Sequence, residues 1–172
     1  MNKFLQVFAF SAIVLIVFSC KKNKDEVYDL YITINGTPVI LHQATCRLAP
    51  DSLNPAHTAF RMTAYAYDSS KALIVDINKD DIDFDPGIYT SGNAGYTVMV
   101  SYYTDFNTPG MKIYNLANAS GKPASLYEIT ITDINAKFIK GTIAGNYLTD
   151  KSSGADKTVE ITNGDFYALR VY

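Results

Sequence analysis

The sequence predicts an all-β domain, either an antiparallel β-sandwich or an open barrel of about nine strands. Its composition favours pleated structure, with 13 Tyr, 9 Phe and many Thr, Val and Ile residues. Apolar and polar residues alternate with a period of two in several segments, as in strands that bury one face. No segment after residue 19 shows convincing helical periodicity longer than two turns. Short strands separated by turn residues are typical of sandwiches and barrels.

The first 19 residues are expected to be a signal peptide. Lys3 provides a positive charge, and residues 4–18 are apolar except for Gln6 and Ser11. A helix that crosses a bilayer core needs roughly 20 apolar residues, so this run is short for a membrane span. Its length and its basic flank suit the apolar region of a secretion signal.

A cysteine follows this run directly. The segment Val17-Phe18-Ser19-Cys20 resembles the lipobox of bacterial lipoproteins. The resemblance implies cleavage after Ser19 and fatty acyl chains, palmitate among them, on Cys20. Two or more chains give stable anchoring, whereas one chain binds only marginally. The alternative is an ordinary signal peptide or a short anchor helix, with a cysteine there by coincidence.

Residues 20–26 are predicted to be the lipidated cysteine and a polar tether, and residues 27–172 a single β domain. The tether contains Lys21, Lys22 and Lys24 and no apolar residue. Its six residues after Cys20 span at most about 20 Å, because an extended residue covers about 3.3–3.6 Å. We therefore expect an outer-membrane lipoprotein of the cell envelope that stays close to the bilayer. Whether it faces the periplasm or the cell surface stays open, as does whether the lysines contact lipid head groups.

Charge and cysteine content narrow the possible partners. The formal net charge is −2 at pH 7, and this mild acidity argues against nucleic acid as a partner. The chain has two cysteines, Cys20 and Cys46. With Cys20 committed to lipid, Cys46 has no partner for an internal disulfide, so packing alone must hold the fold.

The predicted strands can be placed in chain order. Alternation or apolar patterning marks residues 28–34, 39–41, 60–66, 73–77, 96–102, 127–132, 139–147, 159–161 and 166–172. Asn35-Gly36 predicts a type I′ hairpin turn between the first two, and Asn163-Gly164 is interpreted as a second hairpin turn. The segments 49–55 and 115–124 are rich in turn-forming residues and are expected to be exposed loops.

Four motifs resemble those of small lipoproteins from Bacteroidetes that contain a β-rich domain. They are Ile32-Thr33-Ile34-Asn35-Gly36, Pro86-Gly87-Ile88-Tyr89, Ile139-Lys140-Gly141-Thr142-Ile143-Ala144-Gly145 and Val159-Glu160-Ile161-Thr162-Asn163-Gly164-Asp165-Phe166. The resemblance covers roughly the whole domain and implies a lipid-anchored β fold, without implying an activity. Many members carry an aromatic residue after the first Asn-Gly, often Trp. This chain has Thr37-Pro38-Val39 there and no Trp, so no role of that aromatic residue carries over.

The acidic stretch 76–85 is the candidate metal site. Asp76, Asn78 and Asp80 match the first three ligand positions of an EF-hand loop, which binds Ca²⁺ through closely spaced oxygen atoms. The match then fails, because Asp81 and Gly87 stand where the loop needs its glycine and its glutamate. The alternative is a solvated edge strand, in which Ile82 and Phe84 alternate with Asp81, Asp83 and Asp85.

The remaining candidates are a histidine–cysteine pair, a set of tyrosines and a serine. His42 and Cys46 lie four residues apart, and on a regular strand they would share a face as a base and a nucleophile or as metal ligands. His57 is the only other histidine.

Tyr65, Tyr67, Tyr102 and Tyr103 are candidates for stacking on sugars or anchoring a protein, although strand tyrosines commonly pack across neighbours. Ser52, in Asp51-Ser52-Leu53, resembles an O-glycosylation acceptor of Bacteroidetes.

These observations favour a non-catalytic binding or structural module of the cell envelope, attached to the membrane through Cys20. The alternatives are a glycan-active hydrolase and a partner-binding or inhibitor subunit of an envelope complex. The ligand stays unknown, with a glycan and a protein as the two candidates. The sequence contains no nucleophile elbow, phosphate loop, CxxC pair or HExxH motif. We predict no catalytic residues and no cofactor.

Overall fold

The domain is all-β, as the sequence predicts. The structure, a computed structural model, describes residues 26–50, 55–81, 83–151 and 156–172. The strands are β1 (Leu30–Ile34), β2 (Thr37–Pro50), β3 (Thr58–Tyr65), β4 (Lys71–Lys79), β5 (Gly87–Thr90), β6 (Tyr96–Thr104), β7 (Lys112–Asn115), β8 (Tyr127–Ile134), β9 (Phe138–Gly145), β10 (Tyr147–Asp150) and β11 (Lys157–Arg170). The described residues thus form eleven strands rather than about nine. The predicted strand 139–147 divides into β9 and β10, and the predicted strands 159–161 and 166–172 belong to the single strand β11. Strands β5 and β7 are additional.

The sheet closes on itself to form a barrel. Eight strands form the ring, in the order β1-β2-β3-β4-β6-β7-β10-β11, and β11 pairs again with β1. All pairings are antiparallel except a short parallel contact that joins Leu169 and Arg170 of β11 to Thr45 and Cys46 of β2. The remaining strands continue the sheet from β11 through β9 and β8 to β5. Closure removes the free edges of the ring strands, whereas β5 pairs only with β8 among the described strands and is the edge strand of this extension.

The interior of the barrel is filled with side chains. Twenty-six buried residues form one apolar cluster, to which the ring strands contribute Phe60 and Leu73 and the adjoining strand β9 contributes Ile143. Small residues such as Ala64 and Ala168 share this interior, which leaves room for the aromatic rings. Burial of this apolar surface is the main stabilising contribution to a domain without a disulfide.

The two Asn-Gly sequences have different structures. Asn35 and Gly36 form the two-residue turn between β1 and β2, with φ values of 48° and 74°, as the type I′ prediction requires. The second prediction is wrong, because Asn163 and Gly164 lie inside β11 and pair with Ala144 and Ile143 of β9. Gly164 is needed there for space, since a Cβ atom would stand 2.8 Å from the Tyr31 carbonyl oxygen of β1.

A β-bulge interrupts β2 at Gln43. Gln43 has a φ of 52°, and the pairing register with β3 shifts between His42 and Thr45. The inward-facing residue before the bulge is Leu41, and the next one is Ala44. An extra residue of this kind reverses which positions of a strand face the core.

The acidic segment after β4 closes one end of the barrel instead of forming an edge strand. Residues 83–86 contain no strand. The Phe84 ring lies between those of Phe60 and Tyr89, with centroid distances of 5.3 Å and 4.9 Å. The expectation of an alternating strand fails because the apolar side chain covers the barrel end rather than a sheet face. The flanking carboxylates of Asp83 and Asp85 remain on the solvent side of this cap.

Several predicted features lie outside the described residues. These are the signal peptide, the lipidation site Cys20, the tether up to residue 25 and the modification candidate Ser52. The described part of the chain holds no helix of the length and apolarity that a membrane crossing requires.

Candidate functional site

The barrel end opposite Phe84 is open and forms a cavity of about 430 Å³, which we call the mouth. Six ring strands or their adjoining turns contribute to it. Its lining residues are Ile34, Asn35, Thr37, Val39, Lys71, Tyr102, Thr104, Tyr114, Thr158 and Val159. Barrel mouths are common positions for small-molecule sites, which usually enclose about 300–1,000 Å³.

The strand register explains why the mouth is polar. Leu73 faces the core on β4, so Lys71, two positions earlier, is the next inward residue at this end. The same step leads from Tyr102 to Thr104 on β6. These last positions meet water, where hydroxyl and ammonium groups are not desolvated.

The floor of the mouth is aromatic and apolar. Tyr102 and Val159 are buried, and the Tyr102 and Tyr114 rings pack with centroids 6.2 Å apart. Burial raises the pKa of Tyr102 to about 12, with a smaller contribution from Tyr114. The Tyr102 hydroxyl therefore stays protonated at neutral pH and can both donate and accept a hydrogen bond.

Lys71 is the one charged residue among those that line the mouth. Asp68, in the β3–β4 turn, has a lowered pKa, mainly because the Ser70 side chain and backbone donate hydrogen bonds to it, with a lesser contribution from the Lys71 charge. The distances from Asp68 Oδ1 to Ser70 Oγ and N are 2.6 Å and 2.9 Å. The described lining of the mouth thus carries a cation, several hydroxyls and an amide, and no carboxylate.

A second concave region lies on the outer wall of the barrel. Asp29, just before β1, is buried, and its Oδ1 lies 3.2 Å from Nδ1 of the half-buried His42. The His42 ring meets the Tyr67 ring edge-on at a centroid distance of 6.2 Å. This outer groove also includes Val27 and Leu169 and encloses about 420 Å³.

The expectation that His42 and Cys46 share a face is wrong. The bulge at Gln43 reverses the alternation, so His42 lies on the outer wall and Cys46 in the core. The Cys46 thiol donates to the Ala168 carbonyl oxygen over 3.6 Å. Burial raises the pKa of Cys46 to about 11, which disfavours the thiolate that a nucleophile or a metal ligand needs. His57, the other histidine, lies with Nδ1 3.6 Å from Asp80 Oδ1.

The acidic residues near β4 have other partners. Asp76 accepts hydrogen bonds from Arg61 Nε and Nη2 at 2.6 Å and 3.1 Å. This pairing raises the pKa of Arg61. Asp80 lies beside His57. A Ca²⁺ ion at Asp76, Asn78 and Asp80 would thus have to compete with Arg61, and the described residues contain no group of three or more His, Cys, Asp or Glu residues suited to a metal.

The four candidate tyrosines do not form one surface. Tyr102 faces inward and lines the mouth, whereas Tyr65 and Tyr103 lie on the outer wall. Both outer rings pack on Phe106, at 5.6 Å and 5.5 Å. Tyr67 stands apart from them beside His42. Tyr102 therefore belongs to the mouth, and Tyr67 belongs to the outer groove.

Sequence reasoning missed the mouth itself. Lys71, Thr37 and Thr104 were not among the candidates, because a lone lysine or threonine near a turn resembles ordinary surface. The available signal was the alternation, which places each of them in phase with inward apolar residues of its own strand. That the three strand ends meet around one cavity follows only from the ring order.

Comparison with known protein families, with curated proteins and with solved structures finds no match. The geometry of the mouth and of the outer groove therefore carries the functional argument.

Proposed function

We propose that this chain is a lipid-anchored, non-catalytic binding protein of the cell envelope, and that its ligand enters the mouth of the barrel. One observation carries the binding part of the proposal: the exposed Lys71 lies among hydroxyl groups on the lining of a cavity of about 430 Å³, and this described lining has no carboxylate. The anchoring part is supported by the lipobox-like segment that ends at Cys20.

The chemistry of the mouth favours a small polyhydroxylated ligand that carries a carboxylate. Threonine and tyrosine hydroxyls both donate and accept hydrogen bonds, which suits the hydroxyls of a sugar. The partly buried Tyr114 ring offers an apolar face for the C–H side of a sugar ring. The Lys71 ammonium supplies a charge-assisted hydrogen bond to a carboxylate. A uronic acid combines these groups within the available volume.

Binding rather than hydrolysis is favoured by what surrounds the titratable groups. The Cys46 thiol is buried and separated from His42 by the wall of the barrel. Asp29 and His42 share their groove with Thr45 and with a second carboxylate, that of Glu26. Lys137 and the Tyr28 hydroxyl both bind Glu26 and lower its pKa, which disfavours the protonated form that a glycosidase acid needs.

The proposal predicts a specific preference between two sugars of matched size. Glucuronate and glucose differ at one carbon, which carries a carboxylate in the first and a hydroxymethyl group in the second. We expect glucuronate to bind at least about tenfold more tightly, since a charge-assisted hydrogen bond contributes about 1.5–3 kcal/mol. Isothermal titration calorimetry with each sugar measures the difference.

Two lysine variants complete this test. Lys71→Gln should reduce glucuronate affinity to that of glucose, whereas Lys122→Gln, at an exposed lysine outside the mouth, should leave it unchanged. Equal affinities for the two sugars, or equal losses in both variants, would contradict the assignment of the mouth as the site.

A further inference from the structure

The outer surface of β1 and β2 carries a group of exposed apolar side chains. Tyr31 and Ile40 are direct cross-strand partners and are 52% and 44% exposed. Val27 is 62% exposed and Tyr67 93% exposed, and both line the outer groove beside β2. We call these four residues, Val27, Tyr31, Ile40 and Tyr67, the β1–β2 patch.

The patch is also concave. A second depression of about 400 Å³ lies between Tyr31, Thr33, Pro38 and Ile40 on the same wall. It adjoins β11 at Asn163, Gly164 and Asp165. The outer groove also holds the polar pair Asp29 and His42. Exposed apolar side chains grouped on one wall nevertheless often mark a contact with a partner or a membrane.

The chain joins its tether at the margin of this patch. Glu26 is held on the barrel by Lys137, with an Oε2–Nζ distance of 2.5 Å, and by the Tyr28 hydroxyl at 2.7 Å. Tyr28 in turn packs on Tyr167 of β11 at 4.8 Å. Residue 26 thus contacts the wall through exposed polar groups, and Val27 of the patch is its immediate neighbour.

The tether length decides which surface can meet a bilayer. Glu26 is the sixth residue after Cys20, so an extended chain between them spans at most about 20 Å. A membrane anchored at Cys20 therefore lies near the wall around Glu26, which includes the β1–β2 patch. The ring order places β6 four strands away from β1 in both directions, so that β6 forms the opposite wall.

We infer that the β1–β2 patch rests on the lipid bilayer to which the chain is anchored. This inference depends on the proposed anchoring at Cys20. Tyrosine suits the membrane interface, because its ring enters the apolar boundary while its hydroxyl stays hydrated. A small patch is sufficient, because the anchor keeps it at a high effective concentration next to the membrane. Asp165 is the cross-strand partner of Tyr31 on β11, so its carboxylate borders the patch and would lie at the level of the hydrated head groups.

A single introduced tryptophan tests the contact, since the chain contains no Trp. Tyr67→Trp and Tyr31→Trp place the fluorophore on the patch, and Met99→Trp places it on the opposite wall at a residue that is 43% exposed. Each full chain is produced with its lipid and reconstituted into phosphatidylcholine vesicles brominated near the head group. Fluorescence quenching by bromine reports proximity to the acyl chains.

We expect both patch variants to lose most of their fluorescence and Met99→Trp to keep nearly all of it. Equal quenching of all three variants, or no quenching at the patch, would overturn the inference. Flotation of the same vesicles distinguishes the anchoring at Cys20 from the contact between the patch and the bilayer. Variants that float without patch quenching refute the resting surface alone, whereas variants that do not float refute the anchoring and this orientation together.

Discussion

Tyr127 places its hydroxyl group in an apolar core, where no hydrogen bond from the described residues offsets the loss of hydration. The residue is buried, and its hydroxyl has no hydrogen-bond partner among the described residues. Burial raises the pKa of Tyr127, so the group stays neutral. Its ring lies so close to Gly145 that a Cβ atom there would come within 2.2 Å of it. Packing of the ring, rather than bonding of the hydroxyl, therefore holds this tyrosine.

Replacing Tyr127 by phenylalanine should accordingly stabilise the protein. Tyr127→Phe removes a buried unsatisfied hydroxyl, and we expect the free energy of unfolding to rise by about 1 kcal/mol. Tyr89→Phe is the matched control, because the Tyr89 hydroxyl donates to the Asp85 carbonyl oxygen at 2.7 Å. That variant should lose about 1 kcal/mol. Urea denaturation measures both, and a clear loss in Tyr127→Phe would show that its hydroxyl has a partner.

The close approach of β8 and β9 depends on a glycine, because a side chain at that position would meet the backbone of the neighbouring strand. Gly141 of β9 pairs with Ile131 of β8 and with Phe166 of β11. A Cβ atom at Gly141 would lie 2.1 Å from the Thr130 carbonyl oxygen and 2.5 Å from the Phe166 ring. Because one of these neighbours is backbone, the strands would have to separate to admit it. The glycines of this motif therefore set how closely three strands approach.

Gly141→Ala should weaken the sheet at this point. We expect the free energy of unfolding to fall by about 3 kcal/mol, since overpacking a core costs about 1–3 kcal/mol and the clash is with backbone. Gly110→Ala is the control, because a Cβ atom there would meet only Thr108 Oγ1 at 3.7 Å. Thermal unfolding of both variants compares them, and near-equal melting temperatures would contradict the packing role of Gly141.

The whole barrel should unfold as one unit. β11 pairs with β1, β2, β9 and β10, so the last strand connects the first two strands to the rest of the sheet. No ring strand can leave without breaking pairings on both sides, which favours a cooperative transition. We expect urea transitions followed by far-ultraviolet and near-ultraviolet circular dichroism to coincide. Separate midpoints for the two signals would indicate that part of the ring opens alone.

The sequence by itself determined the fold class and one hairpin. Alternation of apolar and polar residues is a local property of strands, so β1, β3, β4, β6 and β8 were recognised near their observed positions. Asn35-Gly36 makes its turn because both residues tolerate positive φ, which is again local. Asn163-Gly164 is the same dipeptide but lies within β11, because β1 and β9 pair with β11 on its two sides.

The tertiary structure alone decided which residues meet. The bulge at Gln43 moved His42 and Cys46 to opposite sides of the wall, since one extra residue reverses the alternation that follows it. The mouth around Lys71 exists because strands distant in sequence end at the same side of a closed ring. Strand pairing is a long-range choice made by the total burial and hydrogen bonding of the sheet, and no short segment of this chain specifies it.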